Sequence, residues 1–213
     1  MAHSRYPDPM RLAKPALFMA LLWPAAAMVW DLLAGSLDAE PYAPLIRATG
    51  LWALRLLLLG LAVTPLAHAS GVGALMRLRR MIGLFAVAYS AAHLLLWAKD
   101  YGFAWSFLWD EIVARRYLTW GFAASLLLLP LAATSWRGAL QRLGGRRWRV
   151  LHRLVYPAVL LALWHTLEAH RVATAEILTY GGLLAVLLLW RLARERRPGL
   201  TAATPPSYED FER

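Results

Sequence analysis

The chain has 213 residues, of which 60% are hydrophobic and 17% charged, with eleven Trp and no Cys. Water-soluble domains hold nearer a quarter charged residues, so that class is excluded. The missing thiols exclude disulfides, iron–sulfur clusters, thiolate-ligated or covalently attached haem, and thiol catalysis.

Six apolar runs follow in order, at 16–30, 50–67, 81–98, 117–134, 150–167 and 177–190. Each approaches the roughly 20 residues that cross a bilayer core as a helix. The expected fold is an all-α integral membrane protein, a six-helix transmembrane bundle. Residues 1–15 read as a polar lead-in, 16–191 as the membrane domain, and 192–213 as a Pro-rich tail expected to be disordered. The first run lacks a small-residue cleavage site and reads as a retained span.

The net charge of +10 is unevenly spread. The segment after the second run carries Arg77, Arg79 and Arg80 without an acid. The segment after the fourth carries Arg137, Arg142, Arg146, Arg147 and Arg149 without an acid. The sixth run ends in Arg191, Arg194, Arg196 and Arg197 against Glu195 alone. The alternate loops are acidic or balanced. Positive charge on every second loop is the positive-inside pattern. It puts both termini in the cytoplasm, and the basic excess reads as topology, with no nucleic acid involved.

Along the chain, the first external loop, "AGSLDAEPYAP", is rich in turn formers. Arg55, in "LWALRLLLL", reads as near the outer end of the second helix. It either snorkels to the interface or offers a cation to a cofactor carboxylate. "GVG" at 71–73 lacks the strand and βαβ context of a dinucleotide motif and reads as a loop. The external loop at about 99–116, "YGFAWSFLWDEI", is an interfacial aromatic belt or short surface helix, or else a docking surface. No strand pattern and no internal repeat is evident.

Of six histidines, His3, His68 and His170 fall in tails, loops or run ends. His93 and His165 lie inside apolar runs, where ionisable groups are costly and usually functional. The topology makes the third and fifth helices parallel and sets these two histidines at similar depth in the outer half. A lone histidine there is accounted for by one interhelical hydrogen bond. Two at one depth are what a six-coordinate haem iron needs. His152 lies thirteen residues before His165, roughly 20 Å along a straight helix, so the two cannot share an iron. Opposite His152, the third run offers Arg79 and Arg80. The pair reads either as plain topology or as an inner site for an anionic cofactor such as a flavin phosphate.

The stretches "TGLWALRLLLLGLAVTPLA", "RLRRMIGLFAVAYSAAHLLLW", "RRYLTWGFAASLLLLPLAATS" and "RRWRVLHRLVYPAVLLALWHTL" resemble the ferric reductase and NADPH oxidase superfamily. That superfamily carries histidine pairs between three and four turns apart on its third and fifth helices. The fifth run matches with His152 and His165, whereas the third keeps only His93 and has Arg79 at the first place. Within the superfamily the likeness is to the MsrQ (YedZ) family, haem-binding membrane subunits of a bacterial methionine sulfoxide reductase system. The resemblance implies an inner-membrane electron carrier with haem b and FMN and no substrate chemistry of its own. It implies a cytoplasmic flavin reductase or the quinone pool as donor, and an MsrP-like periplasmic molybdoenzyme as acceptor. It implies that His93 and His165 ligate haem, that His152 is a third haem-associated or inner-site histidine, and that Arg79 and Arg80 stand near the flavin. Alternatives are a quinol-oxidising cytochrome b serving another partner, or a haem-free transporter using the histidines as a proton relay.

Overall fold

The computed structural model describes residues 10–35, 42–170 and 174–195. Among them every regular element is helical. They are α1 (Met10–Leu33), α2 (Tyr42–Ser70), α3 (Arg79–Asp100), α4 (Trp105–Ala114), α5 (Arg116–Ala133), α6 (Arg137–His152), α7 (Val155–Ala169) and α8 (Ala175–Glu195). A single 3₁₀ stretch, Gly73–Leu78, leads into α3. Six helical stretches among the described residues are long and apolar enough to cross a membrane, with α6 and α7 counted as one. Large apolar side chains such as Trp23, Trp30, Leu95, Leu129, Val186 and Leu189 lie exposed on the outside of the bundle. With lipid as the solvent this is the expected outer surface, and the chain is a multi-pass membrane protein.

The bundle is organised around α2. Leu54, Leu56, Leu58 and Leu61 are all buried, so this helix is covered on most sides, as its almost uniformly apolar sequence requires. It packs most closely against α3, and α5 packs in the same way against α7. Gly60, late in α2, lies over Ile82, early in α3, so the pair is antiparallel. The α1 helix sits at the edge, held to α3 by Tyr89. The Tyr89 hydroxyl donates to the Leu21 carbonyl (2.9 Å) and accepts from the Ala25 N–H (3.0 Å). It thus enters the α1 ladder beside Pro24, a site where helices bend.

Three expectations need correcting. The fifth run is not one helix. Pro157 has no N–H to give the Arg153 carbonyl, which accepts instead from Tyr156 (3.0 Å). Residues 153–154 form a turn, and His152 closes α6 while His165 lies in α7. Within α6, Gly144 has φ 73 and ψ 152, a non-helical backbone that bends this basic segment. Second, α2 starts at Tyr42, so Arg55 lies thirteen residues in, near the middle and not the end. Third, α1 begins at Met10, ahead of the expected 16. The aromatic loop at about 99–116 does contain a short helix, α4. Its Leu108 and Ile112 are buried, while Trp105, Trp109 and Val113 are exposed at helical spacing, as for a helix lying in the membrane interface.

The structure also exposes a repeat. "RLLLLGLAVT" at 55–64 in α2 matches "SLLLLPLAAT" at 125–134 in α5, differing at three positions. The partner helices correspond too. Ala86 in α3 and Ala158 in α7 are each fully buried, and each lies seven residues before an intramembrane histidine. The helix pairs α2–α3 and α5–α7 are two versions of one hairpin.

Candidate functional site

Each hairpin presents one histidine, and the structure brings the two together. The ring centres of His93 and His165 are 6.0 Å apart, with planes at 78°. Both rings are half-buried. The His93 Nδ1 is 2.8 Å from the Ile46 carbonyl oxygen on α2. The His165 Nδ1 is 2.7 Å from the Tyr117 carbonyl oxygen on α5. A carbonyl only accepts, so each Nδ1 carries the proton. Each neutral ring therefore keeps its Nε2 lone pair for another partner, the arrangement typical of metal-ligating histidine. Between the hairpins, Ser90 and Ser125 meet at 3.0 Å, one turn below the ring of His93.

This pair fits haem. Two metal–nitrogen bonds of about 2.0 Å, plus two offsets of about 1.1 Å from nitrogen to ring centre, separate the centres by roughly 6.2 Å. The plane angle is permitted, because each axial imidazole turns about its own bond. Among the described residues there is no group of three or more His, Asp or Glu able to hold a metal ion. Two imidazoles alone suit an iron whose other four bonds come from a porphyrin.

His152 is placed differently. Its Nδ1 lies 3.1 Å from the Trp148 carbonyl of its own helix, and its ring stacks on Trp148 at 3.8 Å. Trp148 in turn donates to the Thr134 carbonyl at the end of α5 (2.9 Å). The half-buried Arg79 lies within electrostatic reach of His152, whereas Arg80 is exposed. Both arginines open α3, where the helix N-terminus adds positive potential. This second level is thus one imidazole and cationic groups, away from the histidine pair.

Arg55 is not a free cation. It donates to Tyr180 and Glu176 of α8, both at 2.6 Å, with its guanidinium 5.2 Å from the Trp52 ring centre. His170 turns back to the Thr166 carbonyl at 2.8 Å, and His68 packs on Trp190. His3 lies outside the described residues. Sequence reasoning missed two glycines beside the histidine rings, Gly50 and Gly121, and the Ile46 and Tyr117 carbonyls that hold them. It also missed Arg191, which donates to the Leu61 carbonyl at 2.7 Å. Signals existed: a glycine inside an apolar run, and a proline four residues after Leu61.

The family described as Ferric reductase like transmembrane component matches residues 49–163. The chain is 44% identical over 207 residues to the "Protein-methionine-sulfoxide reductase heme-binding subunit MsrQ" of Xanthomonas campestris pv. campestris (strain 8004), covering 92% of this chain and 94% of the relative. It is 44% identical to the protein of the same name from Rhodospirillum rubrum, over 89% and 93% of the two chains. It is 40% identical to that of Caulobacter vibrioides, over 89% and 96%. No solved structure matches.

Proposed function

The chain belongs to the MsrQ family of ferric reductase-like membrane components, and on that footing we propose that it is the haem b-binding electron carrier of a methionine sulfoxide reductase system. The carrying observation is the His93–His165 pair, 6.0 Å apart and each with Nδ1 committed to a backbone carbonyl. Haem bound there supplies one-electron exchange. His93 and His165 would hold the haem iron between them, and with no site left open it would transfer electrons rather than bind gases. The apolar helices α2, α3, α5 and α7 surround the pair and exclude water.

The basic segments face the cytoplasm, in a bacterial inner membrane, and both termini lie on that side. The membrane domain comprises α1 to α8, residues 10 to 195. Arg79, Arg80 and His152 then stand at the cytoplasmic level, and they suit the phosphate of FMN. The guanidinium fork donates paired hydrogen bonds to phosphate oxygens, and the α3 N-terminus adds to the attraction. A flavin accepts electrons in pairs and releases them singly. The donor is a cytoplasmic flavin reductase or quinol, and the acceptor an MsrP-like periplasmic molybdoenzyme that the carrier meets at its outer face.

The test is the colour and haem content of the purified chain. The unaltered protein is expected to show a low-spin haem b spectrum. His93→Ala and His165→Ala are expected to lose most of the haem while still inserting, and His152→Ala and His68→Ala to keep it. Full haem in either of the first two variants overturns that ligand assignment. A colourless parent overturns the reading as a whole.

A further inference from the structure

The two histidines are held by one device used twice. The Ile46 carbonyl accepts from His93, and four residues later stands Gly50. The Tyr117 carbonyl accepts from His165, and four residues later stands Gly121. The spacing has a stereochemical reason. In an α-helix every Cα–Cβ bond leans toward the N-terminus, so the side chain at i+4 covers the carbonyl at i. Glycine at i+4 leaves that oxygen open to a ring pressed against the helix from outside. A Cβ added at Gly50 would lie 2.9 Å from His93 Nδ1, and one at Gly121 would lie 2.7 Å from His165 Nδ1 and 3.0 Å from its Cγ. These contacts are closer than real Cβ atoms make, and they fall on the proton-bearing nitrogen of each ring.

We propose that Gly50 and Gly121 are positioning residues that open the Ile46 and Tyr117 carbonyls to the two histidines, fixing each ring's orientation and tautomer with Nε2 free for iron. Glycine inside a helix costs about 1 kcal/mol relative to alanine, so its use at both places needs a reason of this kind. Among the described residues no other helical glycine meets a histidine; at Gly138 of α6 an added Cβ would meet the Trp136 ring. At Gly60 of α2 the nearest atom to an added Cβ is Ile82 Cγ2 at 3.8 Å, and at Gly181 of α8 it is Leu163 Cδ2 at 3.9 Å. With alanine at 121, the ring must retreat by about 0.7 Å to reach ordinary contact at 3.4 Å. A retreat of that size along the hydrogen bond stretches 2.7 Å to about 3.4 Å, beyond useful range.

The inference rests on the haem reading above, and its test separates the two. Gly50→Ala, Gly121→Ala and Gly60→Ala are made in the full chain and purified in detergent. Haem retention is measured by transfer to excess apomyoglobin, and ligand-field geometry by the low-spin electron paramagnetic resonance signal. The first two variants are expected to release haem about 10–100-fold more readily, the usual effect of losing a ligand's hydrogen-bond partner, and to shift the low-spin signal. Gly60→Ala is expected to match the parent. A second measurement needs no haem: nitrogen shifts of ¹⁵N-histidine-labelled protein from haem-starved cells. These are expected to show Nδ1-protonated rings in the parent and mixed tautomers at the affected ring in each variant. Unchanged haem release and unchanged nitrogen shifts in Gly50→Ala and Gly121→Ala, or an equal effect of Gly60→Ala, overturn the proposal. If the parent holds no haem, the ligand reading falls and the nitrogen shifts alone decide this one.

Discussion

Pro65 has no N–H, so the Leu61 carbonyl in the membrane half of α2 has no partner within its own helix. Arg191 of α8 reaches across and donates to it at 2.7 Å, with its guanidinium 5.3 Å from the Tyr156 ring centre. Arg191→Met removes the donor and keeps an apolar stem. A hydrogen bond from a charged group contributes about 1.5–3 kcal/mol, and a carbonyl stranded in lipid costs more. Two effects reduce the net loss. Interhelical bonds in membranes average only about 0.6 kcal/mol, with a maximum near 1.7. Among the described residues the other arm of Arg191, Nη1, is buried without a hydrogen-bond partner, and its removal is a relief. The net expectation is about 1–2 kcal/mol of destabilisation. Pro65→Ala restores the helix's own N–H to the Leu61 carbonyl, so Arg191→Met in that background is expected to cost close to nothing. The Tyr156 contact is lost in both backgrounds and cancels from the cycle. Reversible unfolding of the four proteins in mixed detergent micelles measures the coupling. A coupling below about 0.5 kcal/mol would mean that Arg191 does not serve the carbonyl that Pro65 leaves open.

Three further outcomes are expected. Arg79→Gln with Arg80→Gln keeps haem, loses flavin and slows reduction by a flavin reductase, while reduction by a small artificial donor is unchanged; retained flavin occupancy would return the pair to topology alone. Arg55→Leu leaves Glu176 bonded to Tyr180 but without its cation and lowers the haem midpoint potential, whereas Arg55→Leu with Glu176→Leu restores it, as a redox titration of the three proteins would check. The stability effect of Arg55→Leu is at most about 1 kcal/mol, because the pair is more than a third exposed. Gly144→Ala puts a side chain at φ 73 and ψ 152, a glycine-only backbone, and destabilises by about 1–3 kcal/mol in the same unfolding assay.

The spans and the histidine pair were legible because both are costs that composition makes visible. A chain must be apolar for some twenty residues to cross lipid, and an imidazole inside such a stretch needs a partner. Equal depth followed from helix rise and topology, and the rings do meet. The helix ends were less legible. Tyr42–Thr49 carries Arg47 and Pro44 and reads as loop, yet it continues α2 outward and supplies Ile46, whose carbonyl holds His93. The break at 153–154 depends on where Arg153's carbonyl finds a donor, which one proline in the sequence does not settle. The glycines were harder to read: a glycine inside an apolar run is a signal, but the imidazole that it admits comes from another helix, and no local pattern records that. The repeat was masked by differing residues at its first and sixth positions, Arg55 against Ser125 and Gly60 against Pro130.

Once recognised, the repeat explains why the two levels of the membrane differ. Setting His93 against His165 sets Arg80 against His152, since each lies thirteen residues before its histidine. A duplicated hairpin with histidine at both inner positions would offer a second facing pair, roughly 20 Å below the first. Here one half has arginine at that place, and the other half's imidazole is turned to its own helix. His152 bonds to Trp148 within α6, where His93 and His165 each bond to a neighbouring helix. The turn at 153–154 separates it from the straight run of α7 that carries His165. The inner level therefore lacks both the second imidazole and the cross-helix clamp. What it has instead is positive charge at the N-terminus of α3, beside an aromatic stack formed by Trp148 and His152. On the reading proposed above, such an arrangement would suit an anionic, planar group, whereas an iron would find no facing pair of nitrogens there. On the function proposed above, an electron entering at the basic face would meet a differently built site before the histidine pair, and the asymmetry between the two helix pairs would set the direction of transfer.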